Sequence, residues 1–281
     1  MQKFRKVYVD SAHRTSGTST NFTWEAAQDI QCTGECHVAV ASVVIPNSLF
    51  SVQTGVNDKL YIYENHPTVD SSSVNRIVTL AAGNYSATAL NVALQVVLRQ
   101  NALGSAVYTC SYNDVQQRIT ITQTSGGGFV VYDDHTLKTI GRKNPMTGGA
   151  YGTLPTIPNP QSLQQALGIP TAPTTPGVTF QSGVITLARV TSAYLRSPDL
   201  SNMNTMDSNG RLDVLKRIPI SSEFGTLIVG SDNIETSDLM QVSGRTLRAL
   251  TFVLTDGHGN QLDLHNHDIS FTLNFVFGVI D

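Results

Sequence analysis

The sequence predicts an all-β protein, an antiparallel sandwich of two sheets interrupted once by a small α/β insertion. Three observations lead there. Charged residues make up only 14% of the 281 positions, against about 25% in an average globular domain. Ser and Thr together number 56, beside 22 Gly and 11 Pro, the makeup of a turn-rich β protein rather than of a helical bundle or a charged disordered chain. Finally, apolar residues alternate with polar ones along most segments, and one stretch alone carries a convincing helical period.

Taken in order, Lys6–Val9 is a short alternating strand, and residues 10–21 read as a polar loop. Phe22 and Trp24 flank Thr23, so the chain extends again. Alternation resumes from His37 to Ile45 and stops at Pro46. Lys59–Glu64 is the next strand and Ile77–Leu80 another. From Ala87 to Arg99, Leu90, Leu94, Val97 and Leu98 fall at helical spacing, with Ser86 placed as N-cap. Val107–Tyr112 and Arg118–Thr122 pair across a hairpin loop at 113–117, Gly128–Tyr132 follows, and Ser162–Leu167 reads as a short helix. Residues 144–183 hold seven Pro and are expected to wind rather than form regular structure. Beyond Ser182 all is strand: Val184–Leu187, Thr191–Leu195, Leu212–Pro219, Thr226–Val229, Leu239–Val242, Thr246–Thr255 and Asp268–Val279. In the last, Ile269, Phe271, Leu273, Phe275 and Phe277 share one face, which must cover a core. The expected division is therefore 1–76 with 184–281 as the sandwich and 77–183 as the inserted α/β domain. Pattern alone leaves open whether the sandwich is a jelly roll or immunoglobulin-like.

Several function classes fall on composition. No run of 18 apolar residues exists, so no membrane-spanning helix is expected. No apolar run follows the basic start, so no signal peptide is expected. With 18 Lys+Arg against 21 Asp+Glu, the cationic footprint of a nucleic-acid binder is missing, and no specific nucleic acid is expected as partner. Three Cys (Cys32, Cys36, Cys110) are too few for a disulfide scaffold and point to a reducing compartment.

Candidate chemistry is sparse. Asp256, His258, Asp263, His265, His267 and Asp268 crowd one segment, and a His-x-His pair on a strand suits a metal in a cupin-like barrel. Asp256-Gly257 directly after a strand is, however, a hairpin signal, so the segment reads as turn chemistry and no metal is expected. Asp133 and Asp134 are adjacent and on a strand would face opposite ways, a poor pair for glycoside hydrolysis. No G-x-S-x-G elbow is present and Gly126–Gly128 lacks the spacing of a phosphate loop. The expectation is a protein that is not an enzyme, with no catalytic residues and no cofactor.

An ordered set of motifs then carries a resemblance: Val9-Asp-Ser-Ala-His-Arg14 followed by Asn21-Phe-Thr-Trp24; Ile45-Pro-Asn-Ser-Leu-Phe50 with Asn57-Asp-Lys-Leu60; Gly83-Asn-Tyr-Ser86; Leu215-Lys-Arg-Ile-Pro-Ile220; and the closing Leu250-Thr-Phe-Val-Leu-Thr-Asp256 with Asp268-Ile-Ser-Phe271. Together they resemble the penton, or minor capsid, protein of virophages, Polinton-like elements and related large double-stranded DNA viruses. The resemblance implies a single jelly roll that forms homopentamers at the five-fold vertices of an icosahedral shell. Its neighbours there would be trimers of a double jelly-roll major capsid protein. The resemblance also implies localisation in the virion, at the capsid vertex, after assembly in the host cell cytoplasm, and an inserted domain open to a host receptor or glycan. The competing reading is a non-enzymatic glycan- or receptor-binding jelly roll, a spike base or fibre head; exposed aromatics over a groove would favour it.

Interface candidates follow from the same reading. Residues 10–21 are expected to be a tether that orders only on assembly, with Arg5, Lys6, His13 and Arg14 as the charged contacts of the N-terminal arm. Ring contacts are expected from strand-end loops near 46–58, 196–211 and 231–238, represented by Asn47, Arg196, Asp199 and Asn204.

Overall fold

A computed structural model describes residues 3–65, 74–100, 102, 106–139, 157, 159–173, 175–200, 206, 210–230, 234 and 238–278. The chain divides into two compact units, Met1–Leu49 with Val190–Asp281, and Phe50–Arg189. In chain order the strands are β1 Lys3–Asp10, β2 Ser16–Thr18, β3 Asn21–Gln31, β4 Cys36–Pro46, β5 Lys59–Glu64 and β6 Val74–Thr79. They continue as β7 Val107–Asn113, β8 Arg118–Ser125, β9 Phe129–Val131, β10 Thr179–Gln181 and β11 Ser192–Arg196. The last are β12 Val214–Pro219, β13 Leu227–Gly230, β14 Met240–Gln241, β15 Thr246–Thr255 and β16 Ser270–Phe277. Helices are α1 Ala87–Arg99, α2 Asp134–Thr139 and α3 Gln164–Leu167. The protein is mostly β, in four antiparallel sheets.

The first unit holds two five-stranded sheets. One runs β1-β16-β4-β13, with β14 also on β4; the other runs β12-β11-β15-β3-β2. The alternation read from the sequence turns Phe271, Leu273 and Phe275 of β16 inward, against Phe22 of β3 and Leu250, Phe252 and Leu254 of β15. Three irregularities break the period. Ala41 of β4 is the extra residue opposite Thr272–Leu273, β11 and β12 shift register at Leu195–Arg196, and a shift between Leu247 and Ala249 leaves both Arg248 and Ala249 outside. The Phe252 ring meets Phe271 of the other sheet edge-on, centroids 4.8 Å apart, and Phe22 at 5.7 Å. Each fully buried ring of this kind contributes about 1.5–3 kcal/mol of burial, with edge contacts adding to it.

Residues 10–21 are not a free tether. Asp10 caps a 3-10 turn at Ser11–His13 through the Ala12 N–H. Ser11 is fully buried, its hydroxyl donating to Asp268 Oδ1 at 2.8 Å and accepting from the Ile269 N–H. Beyond it β2 pairs with β3, through a hairpin in which Gly17 (φ +92°) lies so close to the Asn21 carbonyl that a Cβ would sit 2.2 Å away. The arm is therefore folded onto its own chain. Its polarity misled because its partners, Asp268 and Ile269, lie some 250 residues away.

The second unit begins at Phe50 rather than near Arg76, and ends at Arg189 rather than at Gly183. The physical reason is β5. Its alternation identifies a strand but not its neighbours, which are β6 and β9 of the same unit. Leu60 and Ile62 enter one core, Tyr61 and Tyr63 another, so β5 is buried on both faces. The sheets are β6-β5-β9 and β10-β8-β7. Helix α1 begins where the Ser86 hydroxyl accepts from the Ala89 N–H, and it buries Leu90, Leu94 and Leu98. Val184–Leu187, expected as a strand, forms none; Ile185 and Thr186 instead donate to the carbonyls of Gln117 and Ala166. Among the described residues no helix is long and apolar enough to cross a membrane.

Candidate interaction surface

The polar clusters that suggested chemistry serve local structure. The Asp256 carboxylate accepts from the N–H groups of His258 and Asn260 and from the Asn260 side chain, closing the turn after β15. His265 and Asn266 both take the left-handed conformation (φ +53° and +64°), as a tight turn before β16 requires. Among the described residues no group of three or more His, Cys, Asp or Glu is placed to hold a metal. Burial pushes the Asp133 carboxyl up, but hydrogen bonds from Thr136 and the Ala172 N–H outweigh it and hold the group below its usual range. It thereby caps the start of α2, while Asp134 accepts from the Ser162 hydroxyl. The thiols are equally occupied. Cys32 and Cys36 are wholly buried at the turn between β3 and β4, and burial together with the hydrogen-bonded Cys32 thiol pushes Cys36 up to about 12. Cys110 is pushed up to about 12 by burial, against the opposing charge of Arg99. A raised pKa keeps a thiol protonated and so lowers its reactivity.

Five aromatics on the inner strands are turned inward. Tyr61, Tyr63, Phe271 and Phe275 are buried, and Phe277 is half-buried against the core of the first unit. Such a set serves packing.

Four of the interface candidates are held by the chain itself. Arg14 pairs with Asp268 at 2.9 Å and donates to the Ser11 carbonyl. Asn47 is 7% exposed, its amide donating to the Ser222 carbonyl and fixing the turn before β13. Arg196 is 2% exposed, bonded to Asp213 at 2.7 Å and to the Thr255 hydroxyl at 2.8 Å. Asp199 accepts from the Thr251 N–H at 2.6 Å, supplying a partner to β15 just past the point where β11 stops pairing with it. Asn204 and most of 231–238 lie outside the described residues. Arg5, Lys6 and His13 are exposed.

Arg5 and Lys6 sit on β1, which ends its sheet. Its eight residues pair with β16 from Lys3↔Phe277 to Asp10↔Ser270, and among the described residues none pairs with its other edge. Val9 faces the core, so Phe4, Lys6 and Tyr8 face out, and Phe4 and Tyr8 are 64% and 74% exposed. A shallow groove of about 320 Å³ runs between β1 and β3, lined by Arg5, Lys6, Val7, Trp24 and Ile30. At the far edge of the same sheet is β13, where Ile228 faces in while Leu227 and Val229 stand out, 59% and 62% exposed. Phe224 and Glu223 project just before it. Sequence reading missed Phe4, Tyr8, Leu227 and Val229. The available signal was parity: each is an apolar residue on the strand face opposite the one that fills the core.

No protein-family model matches the chain, and no curated protein does. Among solved structures the chain is similar to the crystal structure of the SeMet-labelled mavirus penton protein, at 12% identity and a TM-score of 0.48. The match covers 99% of this chain and 100% of that one.

Proposed function

We propose that the chain is a non-enzymatic structural protein of an icosahedral double-stranded DNA virus shell, a jelly roll that assembles as homopentamers at the five-fold vertices. The observation that carries this reading is the strand order of the first unit. Ranked along the chain, its eight principal strands are β1, β3, β4, β11, β12, β13, β15 and β16. In those ranks one sheet reads 1-8-3-6 and the other 5-4-7-2. Two interlocked Greek keys give that order, which is the jelly-roll arrangement common in capsid subunits. It favours the jelly roll over the immunoglobulin-like alternative, and it puts the second unit between the third and fourth strands. The motifs from Val9 to Asp268 that resemble the penton family supply the choice among jelly-roll functions.

On this reading the chain's partners are four further copies of itself and the surrounding trimers of a double jelly-roll major capsid protein, at the vertex of a virion assembled in the host cytoplasm. The inserted unit, Phe50–Arg189, is where a host receptor or glycan would dock. The test is mass by light scattering across a size-exclusion peak, with negative-stain images of the same fraction. Five chains of 30.3 kDa, about 150 kDa, in five-fold rings are expected. A monomer at every concentration, with or without the trimeric shell protein, would overturn the reading.

A further inference from the structure

The two open edges of one sheet are opposite in charge and alike in apolar exposure. On β1, Lys3, Arg5 and Lys6 are exposed, and among the described residues none of them is in an ion pair. Phe4 and Tyr8 stand between and beside them. On the β13 side Glu223 is exposed and likewise in no ion pair among the described residues, beside Phe224, Leu227 and Val229. Open strand edges with exposed apolar side chains are templates for pairing unless something covers them.

We infer that the β1 edge of one copy packs against the β13 edge of the next, so that self-association is heterologous and head-to-tail. Charge selects the pairing. Two β1 edges together would crowd Lys3, Arg5 and Lys6 against their own kind, and two β13 edges would do the same with Glu223. Only the unlike pair brings opposite signs together. Strand direction agrees. The sheet β1-β16-β4-β13 is antiparallel throughout, so a neighbour's β1 placed beyond β13 continues the alternation. Phe4 and Tyr8 then lie beside Leu227, Val229 and Phe224 on the outer face, so that each shields a flank of the other's exposed apolar surface. A heterologous contact of this kind closes into a ring or runs on as an open chain. Closure at five rests on the proposed function; the pairing of edges does not.

The test mixes two variants of the full chain. One reverses the first edge, Arg5→Glu with Lys6→Glu; the other strips the second of its exposed apolar side chains, Leu227→Ser with Val229→Ser. Each is expected to lose the assembled species and run as a monomer. Each keeps one sound edge, so the mixture is expected to give a two-chain species and nothing larger. Far-UV circular dichroism and Trp24 fluorescence check folding, and Phe4→Ser with Tyr8→Ser provides a milder version of the first edge variant. Variants that assemble as the parent does, or a mixture that stays monomeric, would overturn the edge pairing while five-fold rings of the parent left the capsid role standing. Open chains blocked by the same variants would uphold the edges and overturn five-fold closure. A parent chain that never associates would overturn both.

Discussion

The buried ion pair of the second unit invites a perturbation whose size follows from geometry. Glu64 is wholly buried at the end of β5. It accepts from Arg76 Nη2 at 2.7 Å and Nε at 3.0 Å, and from the Tyr108 hydroxyl at 2.5 Å. Arg76 also donates to the Leu98 carbonyl in the last turn of α1, at 2.8 Å, where helix carbonyls lack internal partners. Replacing Arg76 with Met leaves a buried carboxylate unbalanced by its cation, at a cost of about 3–5 kcal/mol. That is a large part of the roughly 5–15 kcal/mol that holds a domain together. With a urea dependence of about 2 kcal/mol per molar, the midpoint for this unit falls by about 2 M. Replacing both Glu64 and Arg76 with Leu removes the unbalanced charge and is expected to recover most of the loss. The single Trp, Trp24, lies in β3 of the first unit, so its fluorescence reports that unit alone. The early transition should appear in circular dichroism and not in Trp24 fluorescence. A loss below about 1 kcal/mol for Arg76→Met, the range of an exposed pair, would refute the claim that this pair organises the second core.

Three further outcomes are expected. Phe252→Ala deletes a ring that touches Phe22 and Phe271 and should cost about 3–5 kcal/mol, this time read by Trp24 fluorescence in urea; a change confined to circular dichroism would contradict the shared core of the first unit. The Cys36 thiol, raised from 9.0 to about 12 in the folded chain, favours the fold below pH 9, and that contribution is lost as pH climbs towards 12; denaturation midpoints should decline over that window, and alkylation of Cys36 should be detected only after unfolding. Gly17→Ala forces a Cβ to 2.2 Å from the Asn21 carbonyl at φ +92°, so hydrogen exchange across β2 and the start of β3 should accelerate, with a cost of about 1–3 kcal/mol; unchanged protection would mean the hairpin adjusts freely.

What the sequence made legible was local. Helix α1 was readable from Ser86 to Arg99 because its cap and its Leu90–Leu94–Leu98 stripe lie within a few residues of one another. β15 was readable at both ends because an apolar run rich in β-branched residues is bounded by Ser243-Gly244 and Asp256-Gly257. Strand partners are not encoded that way. Lys59–Glu64 was visible as a strand, yet its neighbours β6 and β9 moved it from the sandwich to the inserted unit. Ser11, Arg196 and Asn47 were read as surface because they are polar in turn-rich segments. Each is buried and bonded to groups between 17 and 257 residues away: Asp268 for Ser11, Asp213 and Thr255 for Arg196, Ser222 for Asn47.

The same contrast separates the charges that build the fold from those left over. In a chain with only 18 Lys and Arg, Arg14, Arg76, Arg196 and Arg248 each meet a carboxylate of their own chain. Among the described residues Lys3, Arg5 and Lys6 do not, and they cluster on a strand whose outer edge is paired with none of those residues. A solvated strand end would also carry charge, but it would not place Phe4 and Tyr8 in water beside it, nor face an oppositely charged edge with Leu227 and Val229 equally bare. Solubility accounts for the cations alone. Association between unlike edges accounts for the cations, the acid at Glu223 and the exposed apolar residues together.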